Sequence, residues 1–217
     1  KAEYPDVYVH THLSENKNEI AWVKELFPEQ NGYLDVYHHF GLTGSKSVFA
    51  HCVHLEQHEW QCMHDTDSAI AFCPTSNLFL GSGLFPLHTA WDKQVKVGLG
   101  SDVGAGTSFN QLQTLNEAYK VQQLQGNKLS AFEALYHATL GSAKALSLED
   151  KLGNFNLGKE ADFVVLDLNA TALQRLRQSR AKNIEDALFA LITMGDDRNI
   201  AATYVFGECV YHQSSTK

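Results

Sequence analysis

The stretch VYVHTHLSENKNEIAWVKELF, residues 7–27, decides the fold class. Its first seven residues are mostly β-branched or aromatic and too few for a helix, so they read as a short buried strand. Ile20, Val23, Leu26 and Phe27 then recur at helical spacing with charges between them, which predicts a helix. The same change of period recurs downstream. SVFAHCV (47–53) reads as a strand and EQHEWQCMH (56–64) as a helix. SAIAFCP (68–74) reads as a strand, with a short PLHTAWDKQ segment (86–94) behind it. KVGLGSDV (96–103) is the fourth strand, followed by helical stretches near 108–125 and 130–147. Strands that alternate with helices imply βαβ crossovers and a parallel sheet.

The rhythm stops near LEDKLGNFNLG (148–158), where a domain boundary is expected. Beyond it, GKEADFVVLDL (158–168) reads as a strand after a glycine turn and NIEDALFALITM (183–194) as an amphipathic helix. ATYVFGECVYH (202–212) alternates about Gly207 like a hairpin.

Composition bounds the function. In 217 residues, 44% are hydrophobic and 19% charged, which fits a globular chain and excludes disordered and fibrous classes. No apolar run approaches the roughly 18–20 residues that a membrane-spanning helix needs. With 17 basic against 25 acidic residues the net charge is −8, which argues against nucleic-acid or anionic-membrane partners. The chain opens Lys-Ala-Glu, not on an initiator Met, and no secretory leader is expected from these residues. Cys52, Cys62, Cys73 and Cys209 include no C-x-x-C pair, so zinc-finger and thioredoxin-like motifs fail. Cys52 and Cys73 lie in apolar runs and read as small buried hydrophobes. Reduced thiols and a cytoplasmic protein are therefore expected.

The chemistry collects at strand ends, where parallel-sheet enzymes bind their ligands. His12 closes the first strand and is followed at three residues by Glu15; His51 sits late in the second; Asp102 ends the fourth. Gly98 and Gly100 allow close backbone approach there, while Gly104 and Gly106 loosen the loop beyond. Two imidazoles and two carboxylates converging on one rim form a metal-hydrolase constellation, because His and Asp ligate zinc and a nearby carboxylate can move protons. Each residue also has a plainer reading. Asp102 suits a helix N-cap and Glu15 a favourable first-turn acid. His10 shares its strand face with His12 but lies deeper, and is assigned to a supporting or core position. The other eight of the eleven histidines (His38, His39, His54, His58, His64, His88, His137 and His212) read as surface or satisfied core residues.

HTHLSEN (10–16), AHCVHL (50–55), CPTSNLFLGSG (73–83), VGLGSDVGAG (97–106), ATLGSAKALSL (138–148), GNFNLGKEADFVVLD (153–167) and MGDDRNI (194–200) follow in order. Together they resemble the C-terminal half of the guanine deaminases, a family within the amidohydrolase superfamily. The resemblance implies an α/β fold: the C-terminal half of a distorted TIM-type (β/α)8 barrel plus part of a small β-sandwich. Residues 1–157 would carry barrel strands five to eight, and 158–217 would contribute to the sandwich with an amphipathic helix. It implies one zinc ion per chain, held by His12 and Asp102, although iron and manganese also suit these donors. Glu15 becomes the proton shuttle and, with His12 and His51, a contact to the purine. His51 and Asp102 flank the reactive water, so Glu15, His51 and Asp102 are the catalytic set. The implied reaction converts guanine to xanthine and ammonia in purine catabolism, by a homodimer. The family's first-strand H-x-H ligands and its substrate arginine have no counterpart here and would precede Lys1, so the chain is expected to be a piece of a longer polypeptide, with little activity alone. Adenosine-type deaminases and triazine hydrolases share the same residue set, and a non-catalytic fragment is the reading from another class.

Overall fold

A computed structural model describes residues 3–213. Four strands, β1 (Val9–Leu13), β2 (Ser47–His51), β3 (Ala69–Phe72) and β4 (Lys96–Leu99), form one parallel sheet in sequential order. Helices α1 (Lys17–Leu26) and α2 (Tyr33–His39) connect β1 to β2, and α3 (Gln57–Asp65) connects β2 to β3. The next crossover holds α4 (Pro74–Leu80) and α5 (Leu87–Asp92). Beyond β4 come α6 (Gln111–Leu124), α7 (Ala131–Ala138) and α8 (Leu140–Ala145). The tail adds β5 (Phe163–Leu166), α9 (Ala172–Gln178), α10 (Ile184–Met194), β6 (Ile200–Val205) and β7 (Glu208–His212). Its strands make a separate antiparallel sheet in the order β5-β6-β7, with the expected turn at Phe206–Gly207.

Both inner strands of the parallel sheet are largely buried, β2 along its whole length, as a sheet covered on its faces requires. The core gathers Phe49, Ile70, Phe72 and Val97 from the strands with Trp60, Met63, Leu115 and Val121 from the helices and Phe85 from the loop between α4 and α5. Phe72 and Phe85 lie 4.7 Å apart at their ring centres. Leu191 and Ile192 of α10 belong to the same cluster, so the tail helix packs against α6 and α7.

Three helices lie where no helix was read from the sequence: α2, α4 inside the 73–83 motif, and α9. Their signals are local. Gly32 N–H donates to the Asp35 carboxylate at the start of α2. Pro74 opens α4, and Gly81 closes it in the left-handed region at φ 70°. The stretch at 130–147 is two helices, because the backbone breaks at Thr139. That break lets α8 sit flat on β4. A Cβ on Gly98 would meet Ser142 Cα at 3.0 Å, so the close approach needs glycine.

His137 is buried on α7 with both ring nitrogens engaged. Nδ1–H donates to the Val97 carbonyl at 2.9 Å, and Nε2 accepts from the Trp91 indole at 3.0 Å. This fixes the neutral ring, and burial holds its pKa below the usual histidine value. The unfolded chain then takes up the proton first, so the stabilisation is complete above about pH 6.5 and is lost as pH falls below it. Urea titrations at pH 7.5 and pH 5 should show the wild type losing stability over this interval. His137→Gln, less stable at pH 7.5, should show a smaller loss.

Candidate metal and catalytic site

Register assembles the site. His12 pairs with Ala50 and Leu13 with His51 across β1 and β2, while Phe72 pairs with Leu99 across β3 and β4. The C-terminal ends of β1, β2 and β4 therefore open on one rim. At that rim the backbone leaves the strand by left-handed residues that are not glycine: Ser14 (φ 48°), His51 (φ 73°) and Asp102 (φ 47°). Such conformations cost about 1–3 kcal/mol each and persist where surrounding structure over-determines them.

One donor atom each from His12, His51 and Asp102 falls within 4.8 Å of the others. The His12 and His51 rings stack at 5.3 Å. His51 Nε2 stands 3.7 Å from Glu15 Oε2 and 3.8 Å from Asp102 Oδ2, too far for direct hydrogen bonds. His51 is 1% exposed, and its Nε2 has no hydrogen-bond partner among the described residues. Its other nitrogen is committed, since Nδ1–H donates to Asn77 Oδ1 at 2.8 Å. That bond leaves the Nε2 lone pair aimed at the two carboxylates. Two imidazoles and a carboxylate offer the mixed N/O donor set that suits a divalent metal such as zinc, and the unpartnered buried Nε2 among them fits such a group.

Glu15 follows β1 and precedes α1, whose N-cap is Asn16. Its carboxylate turns away from the helix: Ser82 Oγ donates to Oε1 at 2.8 Å, and Oε2 faces His51. Asp102 caps no helix either, since α6 is capped by Asn110. His10 and His12 share one face of β1, and both are exposed among the described residues, where β1 is the edge strand of the sheet. Gly106 does not loosen its loop as expected. It is buried, and a Cβ there would overlap the Ser101 carbonyl oxygen, so it tightens the turn around Asp102. The sequence reading also missed Asn77 and Ser82. Both lie in the 73–83 motif, whose buried polar residues Thr75, Ser76 and Asn77 are unusual on a helix this short.

The amidohydrolase family profile matches residues 1–210. The chain belongs to the amidohydrolase family. It is 64% identical over 214 residues to the guanine deaminase of Escherichia coli strain K12, which covers 99% of this chain and 49% of that protein. The solved structure of E. coli guanine deaminase superposes with a TM-score of 0.97 at 64% identity, covering 99% of this chain and 50% of that one. A guanine deaminase from C. acetobutylicum with guanine bound in its active site superposes at a TM-score of 0.84 and 34% identity, over 94% of this chain and 49% of that one. The chain thus spans about half the length of the relatives it matches. Within that span the fold is the α/β fold of this family, a parallel sheet joined to a small antiparallel one.

Cys73 sits where β3 meets α4, 3% exposed, and all four cysteines are free thiols. Burial, with the Asp102 carboxylate nearby, pushes the Cys73 thiol up to about 12. Burial likewise raises Cys52 well above its usual value. Cys209 is exposed on β7. Alkylation with iodoacetamide at pH 8, followed by peptide mass spectrometry, should label Cys209 first and leave Cys52 and Cys73 unmodified until denaturant is added.

Proposed function

We propose that this chain is the part of a zinc-dependent guanine deaminase that carries the proton shuttle and two of the metal ligands. The observation that carries this reading is the convergence of His12, His51, Asp102 and Glu15 on one strand-end rim, in a chain 64% identical to a guanine deaminase. In this reading the four-stranded sheet is strands five to eight of a (β/α)8 barrel within residues 1–157. The segment 158–217 contributes to a β-sandwich, which would cover the exposed Val164, Val165 and Val210 of the small sheet. The remaining metal ligands and the rest of the purine pocket come from outside these residues. An intact-mass measurement of the native protein tests this, and a 217-residue gene product would overturn it.

His12 and Asp102 would hold the metal, with His51 Nε2 beside it. Bound there, a divalent metal lowers the pKa of a water it holds to about 7 and supplies a nucleophile at neutral pH. The chain's own groups then manage protons and orientation. Glu15 accepts a proton at Oε2 and delivers it to the ring nitrogen next to the guanine carbon that bears the amine. A bond forms from water oxygen to that carbon; one water proton travels by way of Glu15 to the ring nitrogen and stays there, the other passes to the amine, and the carbon–amine bond breaks to release ammonia. Asp102 and His51 stand on either side of the reacting oxygen, Asp102 as acceptor and His51 as a polar contact to it. His12 and His51 also line the purine's place. A reducing, cytoplasmic setting accords with the four free thiols. The homodimer rests on the resemblance alone, and sedimentation of the intact protein tests it.

Ammonia release from guanine, measured beside adenine, adenosine and a triazine, decides the substrate. Turnover of one of the others with none of guanine would overturn the assignment. In the intact protein, Glu15→Gln should retain the metal while lowering kcat by about 10²–10⁴, the usual contribution of general acid–base catalysis. Asp102→Ala should lose both metal and turnover, as read by metal analysis after gel filtration. Loss of metal in Glu15→Gln would move Glu15 from the proton shuttle to the ligand set.

A further inference from the structure

The 73–83 motif, CPTSNLFLGSG, touches the site at three points, although none of its residues belongs to the proposed catalytic set. Thr75 Oγ1 donates to the Ser101 carbonyl at 3.3 Å, next to Asp102. Asn77 Oδ1 accepts from His51 Nδ1–H at 2.8 Å. Ser82 Oγ donates to Glu15 Oε1 at 2.8 Å. The segment is itself held in place. Ser82 N–H donates to the Asn77 carbonyl at 2.9 Å, and the Ser82 carbonyl accepts from His54 Nε2 at 2.9 Å. Gly83 sits against Val53, where a Cβ would come within 2.9 Å of Cγ1. Asn77 is wholly buried and Ser82 nearly so, which makes their side chains poor candidates for substrate contact.

We propose that Asn77 and Ser82 are positioning residues, through which one short helix and its closing turn set the reactive atoms of His51 and Glu15. Asn77 keeps the proton on His51 Nδ1, so that Nε2 presents its lone pair. Ser82 engages Glu15 Oε1, so that Oε2 alone faces His51 and carries the shuttled proton. Without Ser82 the carboxylate can rotate and present either oxygen, and the proton is delivered from the wrong place in a share of encounters. The two residues thereby act on the chemical step and leave guanine binding to others. This inference rests on the deaminase reading above, and deepens it.

Ser82→Ala in the intact protein should lower kcat by about ten- to a hundredfold, the scale of a lost hydrogen bond to a charged group, with KM and bound metal unchanged. Ser82→Thr, which keeps the hydroxyl, should recover most of the loss. Ser76→Ala is the matched control, since Ser76 is a wholly buried hydroxyl on the same helix without a hydrogen-bond partner among the described residues. It should turn over like the wild type. A Ser82→Ala enzyme as fast as Ser76→Ala would overturn the proposal, as would a loss that Thr does not repair. For Asn77, the ring ¹⁵N shifts of His51 should report a protonated Nδ1 in the wild type and a mixture of tautomers in Asn77→Ala; an unchanged ring refutes its role. Should the wild type not deaminate guanine, the functional reading fails by itself. The crystal structure of Ser82→Ala then still decides the positioning, and an unmoved Glu15 carboxylate would sink it.

Discussion

Parallel pairing lays the C-terminal end of each strand beside the C-terminal end of its neighbour, and the rest of this molecule depends on that constraint. His12, His51 and Asp102 are separated by about forty to fifty residues of chain, yet their donor atoms come within 4.8 Å. A slip of one residue between β1 and β2 would turn His12 to the opposite face, because side chains alternate along a strand. The register is pinned by what lies beneath it. β2 is buried throughout and can shift only by exposing Phe49 and Val48. The apolar core thus holds the polar rim in place.

The rim still needs its side chains aimed, and strands alone do not aim them. The chain does this with left-handed backbone at Ser14, His51 and Asp102, and with polar groups drawn from the following crossovers. Both devices are costly in isolation. A buried unpaired polar atom costs about 1–3 kcal/mol, and a left-handed non-glycine residue costs a similar amount. They survive because the strands that carry the site are rooted in the apolar core, where Phe72 and Phe85 pack, and because Gly98, Gly100 and Gly106 let neighbouring segments approach closely. The Cβ each glycine lacks would meet Ser142, the Cys73 sulfur or the Ser101 carbonyl.

The parallel sheet was legible because each strand is a short β-branched or aromatic run followed by a change of period. The hairpin at Gly207 was legible because its alternation brackets a single turn. What escaped was local and polar. α4 carries Thr75, Ser76 and Asn77 on four consecutive buried positions with Pro74, a pattern that reads as a loop when hydrophobic periodicity is the guide. α2 is short, and its N-terminus is fixed by a capping contact from Asp35 together with the Glu59 carboxylate, which accepts from Leu34 N–H at 2.8 Å across twenty-five residues of chain.

Histidine is the residue type on which this reasoning is sharpest, because an imidazole has two nitrogens and both must be accounted for when it is buried. His137 and His51 are alike in burial and in having Nδ1–H bonded to an oxygen. They differ at Nε2. In His137 the Trp91 indole supplies the second partner and the ring becomes a structural strut, neutral and inert. In His51 the second nitrogen faces two carboxylates at 3.7 and 3.8 Å, neither close enough to bond it. A packing role cannot account for that arrangement, since packing would favour closing the gap or replacing the ring with an apolar one. It suits a nitrogen that must exchange partners during a reaction. Under the proposed function, the distinction between the core His137 and the reactive His51 lies in the second nitrogen, and no count of histidines along the chain contains it.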